Sequence, residues 1–223
     1  MYLEYWFDDG AAGTMVTLPR VHGESVSVRL KRAIDVVGAL WLLLWLSPIF
    51  LITSVLIKLT SPGPVFFWQE RLGLHQHPFR MLKFRTMIPT AHLQEESLQQ
   101  ARQEVFFKVQ NDPRVTPIGK VLRKYSIDEL PQLVNVLKGD MSLVGPRPLF
   151  DFEIHRFEQW KPLRRFSMKP GLTGIWQVSG RSQTSDEDRM RFDVEYVEQW
   201  SLLLDLKLLL KTIPAVLNGD GAV

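Results

Sequence analysis

Read for its apolar and polar positions, the 223-residue chain divides into a short N-terminal stretch, a long uncharged run and a mixed body. The run from Val36 to Ile57 holds 22 residues without a charge, rich in Leu, Trp, Ile and Val. As a helix rising about 1.5 Å per residue it would be roughly 33 Å long, enough to cross a hydrocarbon core. It begins too late, behind too acidic a stretch, to be a secretory signal, so it predicts membrane attachment. Near its midpoint Pro48, preceded by Ser47, removes the hydrogen bond to the Leu44 carbonyl and predicts a kink. Arg29, Lys31 and Arg32 precede the run, and Lys58, Arg71, Arg80, Lys83 and Arg85 follow it. The positive-inside tendency asks for both clusters on the cytoplasmic face. A helix that enters, bends at Ser47-Pro48 and returns satisfies both demands, and a kinked span is the alternative.

The remaining pattern is that of an α+β protein. Residues 1–28 show no clear period and read as a loosely ordered tail, with 29–60 as the membrane segment and 61–223 as the body. Ser61-Pro62-Gly63-Pro64 predicts a hard stop and turn. Val65 to Trp68 and Phe79 to Phe84 predict the strands of a hairpin, with Gly73 in the turn between them. A polar helix is expected over 91–108, a loop over 111–117 and a short helix over 118–124. Near the end, Trp200, Leu202–Leu204, Leu206, Leu208–Leu210 and Ile213 are interrupted by Asp205, Lys207 and Lys211. That segment is too charged to span and suits a helix lying in a membrane interface or beneath the re-entrant segment. Buried among leucines, Asp205 would need a cation, and Lys31 can supply it. The alternative is an ordinary amphipathic helix with Asp205 in water.

Composition removes several chemistries. There is no cysteine, so disulfide scaffolds, thiolate nucleophiles, Cys-ligated zinc and iron–sulfur clusters are excluded. The net charge of +3 is uneven: residues 1–28 carry −3 and the rest +6. A basic body can face nucleic acid, anionic lipid or a phosphorylated substrate. No recognition-helix motif, zinc module or aromatic sheet face supports nucleic acid. His75 and His77 lie in a turn without carboxylates at ligand spacing and read as loop histidines. No Ser-His-Asp arrangement is visible.

The chemical centre lies at Ser126-Ile127-Asp128-Glu129-Leu130-Pro131, which is expected to open a helix with Leu130, Leu133, Val134 and Leu137 on its apolar face. Pro131 then belongs in the first turn. Asp128 and Glu129 can be simple cap acids, with Ser126 and Glu129 matching a Ser-x-x-Glu capping box. They can equally be functional, because a helix N-terminus keeps a carboxylate ionised and also receives a phosphate. An ionised Asp can attack phosphorus, with a divalent cation neutralising the crowded anions. Nearby cations favour that second reading: Lys83 and Arg85 after a strand, Arg123 five residues before Asp128, and Arg147 stiffened between Pro146 and Pro148.

The run Lys31-Arg32-x-x-Asp35, followed by a hydrophobic segment with Ser47-Pro48, resembles the opening of the bacterial sugar transferases. These are monotopic phosphoglycosyl transferases, which load a sugar phosphate onto polyprenyl phosphate. The likeness continues through Ser61-Pro62-Gly63-Pro64, Gln69-x-Arg71-x-Gly73 and Lys83-Phe84-Arg85-Thr86-Met87. It runs on through Ser126 to Gln132, Leu137 to Ser142, Val144 to Pro148, Lys169 to Gly174, Trp176-Gln177 and Leu204 to Lys207, covering about residues 29–222. The resemblance implies a re-entrant helix at the bacterial inner membrane, with a catalytic domain over 61–223 on the cytoplasmic face. It implies Asp128 as the nucleophile on a nucleotide-sugar donor, usually a uridine diphosphate sugar, and Glu129 as its partner carboxylate. A covalent aspartyl phosphosugar, release of UMP and transfer to undecaprenyl phosphate would follow, starting exopolysaccharide, O-antigen, capsule or glycan assembly. Mg²⁺ is expected at Asp128, with phosphate contacts from Arg123 and Arg147 and weaker ones from Lys83 and Arg85. The expected partners are the donor, undecaprenyl phosphate and membrane lipid, with no nucleic acid; room is left for a homodimer. A non-catalytic scaffold of a polysaccharide assembly complex is the competing class, and its hallmark would be loss of Asp128 or Glu129.

Overall fold

The computed structural model describes residues 2–7, 14–19, 25–89, 112–154, 161–179 and 185–219. The helix expected over 91–108 lies outside them. Strands β1 (Tyr2–Phe7) and β2 (Thr14–Pro19) pair antiparallel, with Tyr2 opposite Pro19. Both strands lie within the stretch 1–28 that shows no clear period in the sequence. Its aromatic and β-branched residues have strand propensity that does not need strict alternation.

Helix α1 (Val26–Trp45) opens where the Ser25 hydroxyl accepts the Val28 N–H at 3.3 Å, and α2 (Ser47–Thr60) follows after a break at Leu46. The two axes differ by 60°. The cause is the expected one: Pro48 cannot bond the Leu44 carbonyl, and Ser47 Oγ takes that acceptor at 2.8 Å. No single helix among the described residues is long and apolar enough to cross a membrane, but the bent α1–α2 pair is when taken together.

The hairpin is present as β3 (Phe66–Leu72) and β4 (Pro78–Phe84), in a register that sets Phe67 opposite Lys83. Its turn carries His75 and Gln76 at positive φ. The turn at 61–64 is held by Arg85, whose guanidinium donates to the Ser61 carbonyl at 2.8 Å and to the Pro62 carbonyl. Helix α3 (Pro117–Lys124) is capped by Thr116, which accepts the Gly119 N–H at 3.0 Å.

The next segment departs from expectation. Residues Ile127–Gln132 form a 3₁₀ helix, and α4 (Leu133–Lys138) begins only after it. Ser126 sits at φ 54° and its side chain caps nothing, so no capping box forms. Pro131 lies in the 3₁₀ turn, where its missing N–H is less costly than in an α-helix interior. The face that α4 buries is Leu133, Asn135 and Val136, with Leu137 half-buried against the same core, rather than Leu130 and Val134.

Strand β5 (Ser142–Val144), the short helix α5 (Asp151–Ile154), a 3₁₀ helix at Lys161–Ser167, β6 (Gly171–Thr173) and the short helix α6 (Ile175–Val178) follow. The chain then completes α7 (Asp186–Gln199) and α8 (Leu202–Asn218). β5 and β6 pair in parallel, and Gly171 lets them touch: a Cβ there would lie 2.0 Å from the Gly145 nitrogen. The main core joins Ala39, Met81, Leu133, Val136, Val144 and Val197, so α1 is part of the body and not an appendage.

The polar residues at the start of α1 fasten it there. Arg32 donates to the last carbonyls of α4, Val136 at 2.6 Å and Leu137 at 2.8 Å, groups that a helix end leaves unpaired. Asp35 accepts from Ser142 Oγ and the Leu143 N–H, each at 2.9 Å. Lys31 pairs with Asp205 at 2.7 Å, and Tyr196 and Trp200 also donate to that carboxylate. Asp205 is thus buried and paired with the expected cation, which overturns the solvated alternative.

Candidate active site

The site starts at the 3₁₀ turn. The left-handed Ser126 turns the chain out of α3, and Asp128 follows, with 8% of its surface exposed. Glu129 presents 38% of its side chain to solvent and accepts from Lys83 Nζ at 2.9 Å. Lys83 arrives from β4, which Asn135 ties to α4: its amide oxygen accepts the Leu82 N–H at 2.9 Å, and its amide nitrogen donates to the Arg80 carbonyl at 2.7 Å. Arg123, on α3, donates from Nε to Thr86 Oγ1 at 2.9 Å. Three elements thus converge on two adjacent carboxylates.

The two carboxyls are not equivalent. Burial, and then the adjacent Glu129, push Asp128 up to about 7 against the pull of Lys83 and Arg123. Burial acts on Glu129 as well, but Lys83, Arg147 and Arg71 overcome it and hold Glu129 below its ordinary range. One group is therefore poised near neutrality and the other stays anionic, the split that acid–base and nucleophilic sites use.

The other sequence candidates divide. Arg147 is fixed by its backbone: its N–H donates to Asp193 at 3.2 Å and its carbonyl accepts from Arg165. Its guanidinium lies 5.2 Å from the Trp176 ring centre, and its charge acts on Glu129. Arg85, 8% exposed, donates to two carbonyls and holds the 61–64 turn. Ser47 and Pro48 make the bend, and Lys31 and Asp205 make the ion pair; none of them is among the groups that act on Asp128 or Glu129.

Several residues were missed. Thr86 receives Arg123 and stood unremarked within Lys83-Phe84-Arg85-Thr86. Arg71 lies 3.7 Å from Glu153, and its guanidinium sits 3.2 Å from the Phe150 ring centre. Arg165 pairs with Asp193 at 2.5 Å, and burial first, against the pull of Arg165, brings Asp193 up to about 6. Asp112 and Arg114 pair at 2.7 Å in the loop before α3. Charged residues nearly fully buried must find such partners, but nothing in the sequence says which. No group of three or more metal-ligating side chains occurs among the described residues.

The sequence profile of the bacterial sugar transferases matches residues 26–219, the span that contains α1, both carboxylates and α8. The chain belongs to this family. Curated bacterial relatives match over most of this chain. The exopolysaccharide production protein ExoY of Sinorhizobium fredii is 45% identical over 198 residues, 86% of this chain and 87% of that one. The UDP-glucose:undecaprenyl-phosphate glucose-1-phosphate transferase of Caulobacter vibrioides is 44% identical over 92% of this chain and 74% of its own length. The undecaprenyl-phosphate galactose phosphotransferase of Salmonella typhimurium is 42% identical over 86% of this chain, but over 41% of its own. As a member of this family, the chain is a transferase of sugar phosphate.

Proposed function

We propose that the protein transfers a sugar 1-phosphate from a uridine diphosphate sugar to undecaprenyl phosphate, through a covalent bond to Asp128. The observation that carries the reading is the pair of unequal carboxylates, Asp128 near neutrality and Glu129 anionic, held beside Lys83 and Arg123. In the first step an Asp128 carboxylate oxygen attacks the phosphorus that bears the sugar. A new O–P bond forms, the bridging P–O bond breaks, and UMP leaves with the electron pair. In the second, an oxygen of the lipid phosphate attacks that phosphorus and the carboxylate leaves. Arg123 and Arg147 suit the non-bridging oxygens, and Glu129 is the local acceptor for a proton on the lipid phosphate.

Mg²⁺ fits this donor set. Magnesium is commonly held by one or two carboxylates and substrate phosphates, which matches Asp128 with the donor's diphosphate. When bound, it neutralises charge on the phosphates. The α1–α2 pair is read as a re-entrant helix at the cytoplasmic face of the inner membrane, supported by its 60° bend and by the cations at both ends. Helix α8 adds an outward apolar stripe at Leu203, Leu206, Leu210, Ile213 and Leu217, which suits an interfacial position.

The test is nucleoside-monophosphate release by the detergent-purified chain with Mg²⁺, undecaprenyl phosphate, and UDP-glucose or UDP-galactose. Release with one donor, abolished in Asp128→Asn, is the expected result. Release that survives Asp128→Asn would remove the covalent route, and no release with any donor would remove the transferase reading.

A further inference from the structure

Phe67 stands apart from its neighbours on β3. Phe66 stacks on buried Phe84 at 5.3 Å, and Trp68 receives Lys138 over its ring at 5.4 Å. Phe67 keeps 49% of its surface exposed and has no ring or cation partner among the described residues. Directly opposed residues of an antiparallel pair share a face, and Phe67 lies opposite Lys83. Lys83 Nζ gives one of its three N–H groups to Glu129, which leaves two for an anion. An exposed aromatic ring therefore adjoins the cation that touches the reactive pair. The strand also follows the exposed apolar end of α2, where Leu59 is 77% exposed, through the turn that Arg85 pins.

We propose that Phe67 binds the first isoprene units of the lipid-phosphate acceptor while Lys83 receives its phosphate. A ligand with an apolar tail directly bonded to a phosphate matches a ring and an ammonium side by side on one strand pair. A nucleotide sugar, polar throughout, does not call for Phe67. The inference rests on the transferase reading and adds to it the place where the acceptor enters.

The test compares the protein with Phe67→Asn, Phe67→Ala and Phe67→Leu in detergent. Acceptor KM is expected to rise roughly five- to tenfold in the Asn and Ala variants and to return towards wild type in Leu, since burial against carbon and not aromaticity is required. Donor KM should stay within about twofold. Equilibrium binding of radiolabelled undecaprenyl phosphate should weaken by the same factor and is read independently of turnover. Unchanged acceptor KM and binding in Phe67→Asn would overturn the proposal. Equal losses for donor and acceptor with a lowered thermal midpoint would overturn it too, by making Phe67 a packing residue. Loss of flotation with phosphatidylethanolamine–phosphatidylglycerol vesicles at unchanged acceptor binding would make it a general bilayer contact, which also excludes it. If wild type releases no nucleotide at all, the transferase reading fails separately, and the binding comparison still decides the acceptor contact.

Discussion

Asp128 is buried, and the covalent route proposed above needs it as an anion; these demands conflict. A carboxyl raised from its ordinary range to about 7 favours the fold while protonated, so the stabilisation is complete below about 4 and is lost as pH climbs to 7. Asp128→Asn removes the conflict. In EDTA at pH 8 it should raise the melting temperature by roughly 2–4 °C for each kcal/mol of burial penalty relieved, and the gain should shrink as pH falls to 5. A gain independent of pH would contradict the assignment. Lys83→Met acts in the opposite sense on chemistry, since it strips both carboxylates of a cation. The acid limb of the kcat/KM profile should move to higher pH, each unit lowering the ionised fraction below the midpoint about tenfold. A limb that stays in place would separate Lys83 from Asp128.

At the scale of elements, the break at Leu46 is the feature on which the proposed re-entrant topology turns. Replacing Ser47 and Pro48 together with Leu restores the ladder and should merge helices of 20 and 14 residues into one. The chain has no cysteine, so single cysteines at the exposed Ser25 and Pro64 report side by maleimide labelling in intact cells. Both should be shielded from the outside in the parent, and Pro64→Cys should become reachable in the double variant. The break and the hairpin were legible because each rests on local chemistry, proline's missing donor and β-propensity around a glycine turn. Lys31–Asp205 was legible for another reason: a charge inside a leucine run demands a partner. The capping box was misread because Ser126 is left-handed, a conformation that Ser-x-x-Glu does not reveal. The part Arg85 plays in the 61–64 turn was not legible, because a guanidinium serves a carbonyl as readily as a phosphate. Arg165 with Asp193 could not be read, because the sequence does not say which of several charges the fold will bring inside.

Across the whole molecule, the Lys31–Asp205 pair joins the first helix to the last, with Val144 accepting from both Lys31 and Tyr196 in between. Lys31→Met leaves a buried carboxylate uncompensated and should cost roughly 3–5 kcal/mol, while Lys31→Met with Asp205→Leu should recover much of it. Thermal unfolding in detergent reads both, and simple additivity of the two single losses would deny the coupling. The partners are 174 residues apart, and that separation has a meaning in time. At about 5–20 residues per second, a ribosome needs roughly 9–35 s to deliver Asp205 after Lys31 has emerged. Throughout that interval α1 carries an unanswered ammonium at its entrance. In the re-entrant reading proposed above, the charge that later locks the finished protein would also, during synthesis, hold the start of α1 out of the bilayer before its partner exists.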